Sequence, residues 1–214
     1  VDVLIVGAGY TGLAAAIVAS DLGAKTVVVE AEEAGKGAST RNGGMFGAHP
    51  RLSWQTLSEK FGVETADQIF EEASASLTFV KRLISDELID CDLTQSGRIQ
   101  LAWSKKDHEN QKQLASIIKQ KSNVSVQIIS REELSSEIKT DRYFGGILFE
   151  EHGGINPAKF HNGLMTSLIK RKVPVLENMP VLSIKRMPRG FKVHFLNKEF
   201  FVKNVIMATN GYTT

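Results

Sequence analysis

Val3-Leu4-Ile5-Val6-Gly7-Ala8-Gly9-Tyr10-Thr11-Gly12 is the stretch that decides the fold. Its first part, entered from Asp2, is a short unbroken apolar run ending in glycine. That is the pattern of a strand buried on both faces of a parallel sheet. Tyr10 to Leu22 follows, rich in alanine and apolar nearly all round, which predicts a helix packed closely on that sheet. Gly23 stands where such a helix ends. Thr26-Val27-Val28-Val29 is a second β-branched strand with no polar interruption. Strand, helix and strand in this order make a βαβ unit with an expected right-handed crossover.

Gly7, Gly9 and Gly12 form a GxGxxG between the first strand and the helix. The first glycine allows the sharp turn, the second allows backbone to approach a pyrophosphate, and the third lets helix and strand pack closely. The helix start, with Tyr10 and Thr11, then presents N–H groups and the positive end of its dipole to the phosphates. Glu30 closes the second strand, where an acidic side chain accepts hydrogen bonds from ribose hydroxyls. A carboxylate there repels a 2′-phosphate and so disfavours NADP, while NAD and FAD both remain open.

Beyond Glu30, residues 34–47 are rich in Gly, Ala and Ser and read as a loop or broken helix that brings backbone close to a ligand. Ala66, Ile69, Phe70, Ala73, Leu77, Val80, Ile84 and Leu88 recur at helical spacing. Arg98 to Trp103 alternates as a half-buried strand, and Lys105 to Gln120 is a polar helix with a narrow apolar stripe. Ser130-Arg131-Glu132-Glu133 is a capping box before another helix. Asn156-Pro157 supplies an N-cap and a first-turn proline for a helix to about Lys172. Val181 to Ile184, Phe191 to Phe195 and Phe200 to Val202 predict a small antiparallel meander, and Val205 to Ala208 another buried strand.

The 26 basic and 24 acidic residues are scattered, without a block of like charge, and give no reason to expect nucleic acid or an anionic membrane as partner. The longest apolar stretch, Leu13 to Ala19, is far too short to span a bilayer. The single cysteine, Cys91, excludes an internal disulfide framework and fits a reducing, cytoplasmic compartment. It also excludes the redox cysteine pair that flavoprotein disulfide reductases need. Val1 falls at the start of a strand and Thr214 just after an apolar run, so both ends are expected to be cut from a longer chain.

Asp2 to Gly47, with Glu30 and Gly37-Ala38-Ser39-Thr40-Arg41-Asn42-Gly43-Gly44, resembles the opening of the D-amino-acid oxidase-like family of FAD-dependent oxidoreductases. The gamma-glutamylputrescine oxidoreductase-like branch is the most similar. His152-Gly153-Gly154-Ile155-Asn156-Pro157 and Val205-Ile206-Met207-Ala208-Thr209-Asn210-Gly211-Tyr212 match as well, while residues 50–145 resemble it only loosely. The resemblance implies an α/β, Rossmann-like FAD-binding fold of the glutathione-reductase type, with a parallel sheet, an antiparallel meander and part of an α+β substrate domain. On this reading 1–95 is the first part of the FAD-binding domain, 96–150 a substrate-domain segment and 151–214 the return of the FAD-binding domain.

Carried over residue by residue, the resemblance places Gly7, Gly9, Tyr10, Thr11 and Gly12 on the pyrophosphate and Glu30 with Ala31 at the ribose. Ala38 and Ser39 reach the pyrophosphate, with Arg41 near phosphate or a substrate carboxylate. Asn42, Gly43, Gly44 and Met45 run beside the flavin ring, Val181 offers its backbone to adenine, and Ala208, Thr209 and Asn210 close over the nucleotide. Arg41 stands where some relatives carry a flavin-linking histidine, so non-covalent FAD is expected. His49 lies beyond the motif and reads as a surface or helix-start histidine.

The implied reaction oxidises the C–N bond of a small amine or amino acid by hydride transfer to flavin N5. Its second half, which supplies further flavin and substrate contacts, is absent from this chain, so the chain alone is expected to be inactive. No acid–base residue emerges, and His152, His161 and Tyr143 read as structural. The alternatives are an NAD-dependent dehydrogenase, which predicts further βαβ alternation after Glu30, and a non-catalytic flavin- or nucleotide-binding module.

Overall fold

The computed structural model describes residues 1–48, 50–122 and 124–213, so His49 lies outside the described residues. In chain order the elements are β1 (Val3–Val6), α1 (Tyr10–Asp21), β2 (Thr26–Val29), β3 (Met45–Phe46), α2 (Trp54–Phe61) and α3 (Val63–Asp86). Next come β4 (Arg98–Leu101), α4 (Lys105–Lys121), β5 (Val126–Ile129), α5 (Arg131–Glu137), β6 (Gly146–Phe149) and β7 (Gly153–Gly154). The last third holds α6 (Pro157–Lys170), β8 (Val175–Leu176), β9 (Ser183–Met187), β10 (Gly190–His194), β11 (Glu199–Val202) and β12 (Asn204–Met207).

Two compact units share these elements. The first comprises Val1–Gly43, Asp86–Cys91 and Asn156–Thr214. Its parallel sheet has the order β12-β1-β2-β8, with Val3 opposite both Asn204 and Thr26. The β-branched and leucine side chains that make these strands cover both faces. Leu4, Val6 and Val29 pack with Val193, Phe195 and Val202 of the antiparallel meander β11-β10-β9. The helix α1 covers the opposite face, burying Gly12, Leu13, Ala16 and Ile17, and packs in turn on α6. Gly23 at φ +83 closes α1, with the Ala24 N–H reaching back to the Ala19 carbonyl at 3.0 Å. The third parallel strand, β8, arrives only at Val175, so no further βαβ unit directly follows β2.

The second unit comprises Gly44–Ser85 and Asp92–Ile155. Its antiparallel sheet β4-β6-β5 is covered by Phe70 and Leu77 of α3 and by Ala115 and Ile118 of α4, which meet Ile147 and Phe149. These units are drawn differently from the boundaries read in the sequence, where 44–85 was expected with the FAD-binding domain. The apolar stripe of α3 needs a partner surface, and it finds one on a sheet built from 98–149. The segments 92–95 and 151–155 belong with it, Thr94 forming a bridge to Gly154. The capping box of α5 is complete, with the Glu133 N–H donating to Ser130 Oγ at 3.2 Å and the Ser130 N–H to Glu133 Oε2 at 2.9 Å. Among the described residues no helix is long and apolar enough to cross a membrane, and no group of His, Cys, Asp and Glu is placed to hold a metal ion.

Candidate nucleotide-binding site

The three motif glycines are each required by a close approach. Gly7 has φ +106, and a Cβ on it would sit 2.6 Å from the Ala208 carbonyl oxygen. A Cβ on Gly12 would lie 1.9 Å from the Gly7 carbonyl oxygen, so only glycine lets α1 start this close to β1. At Gly9 the neighbour is the Ser39 hydroxyl, 2.9 Å from an added Cβ. The first and third roles are those read from the sequence. The second has an extra component, because Ser39 already stands at the helix start.

Most polar groups of the turn are engaged. The Gly7 N–H donates to the Val29 carbonyl at 2.8 Å, the Ala8 N–H to Glu30 Oε2 at 2.8 Å and the Tyr10 N–H to Ser39 Oγ at 3.1 Å. The Ala8 carbonyl accepts from His161 Nε2 at 2.8 Å. The N–H groups of Gly9, Thr11 and Gly12 have no partner among the described residues. Three donors at the N-terminus of one helix, aligned with its dipole, are suited to an anion.

Glu30 directly follows β2, beside them. Its Oε1 accepts from the Glu32 N–H at 3.2 Å as its Oε2 accepts from Ala8. Two N–H bonds fix the carboxylate and leave a lone pair on each oxygen for hydroxyl donors such as a ribose diol. This donor and acceptor set fits the diphosphate and ribose of a dinucleotide. Ala31 follows, exposed.

The Gly-rich segment makes a single 3-10 turn, Ala38–Thr40, not a long helix. Asn42 Nδ2 ties that turn by donating to the Ala38 and Ser39 carbonyls at 3.2 and 3.0 Å. Thr40 donates its hydroxyl to the Gly35 carbonyl. Arg41 and Gly43 are exposed, and Arg41 makes no ion pair among the described residues. Gly44 and Met45 belong to the second unit, where Met45 pairs with Gly154 and leaves 80% of its surface exposed.

Val181 precedes β9, and neither its N–H nor its carbonyl is paired among the described residues. The Ala208 N–H extends the β12 pairing to the Val6 carbonyl at 2.8 Å. Thr209 shares a hydroxyl contact with Thr213, and Asn210, at φ 51, opens the closing 3-10 turn.

Two features carried no local sequence signal. His161, only 2% exposed, comes from α6 to hold the Ala8 carbonyl. The Tyr10 side chain turns into the same helix: its hydroxyl donates to the Pro157 carbonyl at 2.9 Å and its ring meets Phe160 edge-on at 5.0 Å. Burial holds the Tyr10 phenol above its ordinary pKa, only partly offset by Asn42. The remaining histidine and tyrosine considered from sequence lie in the second unit. His152 is buried, accepts the Ala48 N–H at Nε2 (3.1 Å) and stacks on Phe149. Tyr143 packs edge-on against Trp103 at 4.9 Å.

Known proteins are similar to this chain in sequence and in fold. Gamma-glutamylputrescine oxidoreductase of Escherichia coli (strain K12) is 28% identical over 217 residues, covering 99% of this chain and 49% of that protein. Among solved structures, L-amino acid deaminase from Proteus myxofaciens aligns with TM-score 0.81 at 18% identity, covering 97% of this chain and 45% of that one. Glycine oxidase from Geobacillus kaustophilus aligns with TM-score 0.77 at 21% identity, covering 97% and 54%. These likenesses establish a shared fold, and the chain spans about half the length of the curated relative. The model of the DAO family, FAD dependent oxidoreductase, matches residues 2–214, and the chain therefore belongs to that family.

Proposed function

We propose that this chain forms the nucleotide cradle of an FAD-dependent oxidoreductase that oxidises the C–N bond of a small amine or amino acid. The observation that carries the reading is the cluster of three N–H donors at the start of α1 beside the tethered Glu30 carboxylate. On this reading Gly9, Thr11 and Gly12 donate to the pyrophosphate, with Ser39 at the same helix start. Glu30 accepts from the ribose hydroxyls, the unpaired Val181 backbone meets adenine, and Ala208 to Asn210 close the nucleotide side. Arg41 adds an exposed positive charge near the phosphates. Asn42 and Gly43 are proposed to line the flavin.

When bound, FAD supplies the hydride acceptor, the chemistry no protein side chain provides. What the chain contributes is binding, orientation and electrostatics. The substrate class is supported by the names of the similar proteins, which concern a putrescine derivative, glycine and L-amino acids. Attachment is proposed to be non-covalent, since Arg41 offers no nucleophilic ring nitrogen.

The test begins with the purified whole protein loaded with FAD. A visible flavin band that goes to the supernatant on acid precipitation is expected. Colour retained on a peptide containing residues 41–50 would overturn the non-covalent assignment. Anaerobic mixing with a panel of amines and amino acids should then bleach the band. Persistent colour with every member, in protein that binds FAD, would favour the non-catalytic module over the oxidoreductase.

A further inference from the structure

We infer that His161 is a positioning residue for the pyrophosphate, acting through the orientation of a single peptide plane. The inference rests on the nucleotide reading above and adds a residue to it. The peptide joining Ala8 to Gly9 is trans, like every described peptide bond, so its carbonyl and its N–H point in opposite directions. His161 Nε2 holds the carbonyl at 2.8 Å on the α6 side. The N–H of Gly9 is thereby aimed away from α6, and it is one of the three donors without a protein partner.

Without His161 little else would hold that plane. Gly9 lacks a Cβ, so rotation of the preceding peptide meets less steric resistance there than at other residues. A rotated plane would turn a carbonyl oxygen toward the anion and withdraw a donor. The other polar group of Ala8, its N–H, is fixed separately by Glu30 and belongs to the preceding peptide. The two peptides flanking Ala8 are therefore clamped by residues from two different elements.

The imidazole is itself rigidly placed. His161 is 2% exposed, and a Cβ on Gly35 would come within 3.0 Å of its Cε1 and 3.1 Å of its Nδ1. The ring also lies near Tyr10, at 6.5 Å between centroids. A carbonyl acceptor requires the proton on Nε2, which defines the tautomer. Ala8 is fully buried, so its carbonyl has no water to replace a lost donor.

The experiment compares FAD affinity, by titration calorimetry on the whole protein, for wild type, His161→Leu and His161→Gln. Leucine keeps most of the volume and removes the donor, whereas the glutamine amide keeps a donor at about the reach of Nε2. The inference expects affinity to fall about 10- to 100-fold in the leucine variant and to return to within a few-fold of wild type with glutamine. Nitrogen-15 spectra of the wild-type imidazole should show the proton on Nε2. Wild-type affinity in the leucine variant would overturn the inference. So would equal loss in both variants, which would mean that ring shape matters and the donor does not. Should the leucine variant fail to fold, the glutamine variant and the tautomer still decide: lost affinity with glutamine, or a proton on Nδ1, would sink the idea. Failure of the wild type to bind FAD would instead overturn the nucleotide reading, and this inference with it.

Discussion

Glu30 serves two purposes with one carboxylate. It secures the Ala8 N–H at 2.8 Å and, on the proposed reading, receives the ribose hydroxyls. A hydrogen bond to a charged group contributes about 1.5–3 kcal/mol, so Glu30→Ala should weaken FAD by roughly 10- to 150-fold in a fluorescence titration. Unchanged affinity would remove Glu30 from the site. Gly12→Ala is expected to act on folding instead, because its methyl group would lie 1.9 Å from the Gly7 carbonyl oxygen and backbone must shift. Loss of soluble, helical protein on circular dichroism is the expected result. At this scale the turn glycines and Glu30 were legible because GxGxxG at a strand–helix junction constrains the backbone directly. His161 was not, because the bond to Ala8 joins residues 153 positions apart and no local pattern records such a contact.

Helix ends are where the elements of the first unit are tied together. Arg171, the C-cap of α6, donates to Asp21 at the end of α1 at 2.7 and 3.0 Å, and to Glu87, just after α3, at 2.7 and 2.6 Å. The guanidinium holds both carboxyls below their ordinary range. Lowered folded-state values mean that this stabilisation is fully present above the unfolded values near 4 and is lost as pH falls through the folded ones. Arg171→Leu leaves Glu87, with its side chain only 10% exposed, without its cation. A destabilisation of about 2–4 kcal/mol is expected at neutral pH, and a smaller one in acid, where Glu87 is protonated. Urea denaturation at the two pH values measures it, and an equal loss at both would rule out the charge argument. In the second unit Ser130→Ala should cost about 1 kcal/mol by opening the capping box of α5. The capped helices α5 and α6 were legible from sequence. The two-residue strands β3, β7 and β8 were not, since their existence depends on pairing partners, as Met45 depends on Gly154. Nor were α2, β5 and β6 read from the sequence, although all three contribute to the core of the second unit.

For the molecule as a whole, ligand binding should appear as stability. FAD held at 100 times its dissociation constant adds about 2.7 kcal/mol to a state that binds it only when folded. Hydrogen exchange should then slow around residues 7–12 and 30–39 on FAD addition; protection elsewhere with none at these residues would contradict the cradle. The sequence indicated a parallel sheet and a meander, whereas the packing of the 63–86 helix on the 98–149 sheet was not legible, because helical periodicity reveals a buried face without naming its partner. The central strand of that parallel sheet has a further consequence, in the order of synthesis. The residues of β1, beginning at Val3, leave the ribosome well before their partners Asn204 to Met207. At about 5–20 residues per second the interval is roughly 10 to 40 s. During that time the chain of the second unit, Gly44–Ser85 and Asp92–Ile155, has emerged almost complete, while one edge of β1 still lacks its neighbour. Nascent chains stalled soon after Ile155 should therefore show a protease-resistant second unit and a β1 segment that is still cut, and that segment should become resistant only once β12 has emerged.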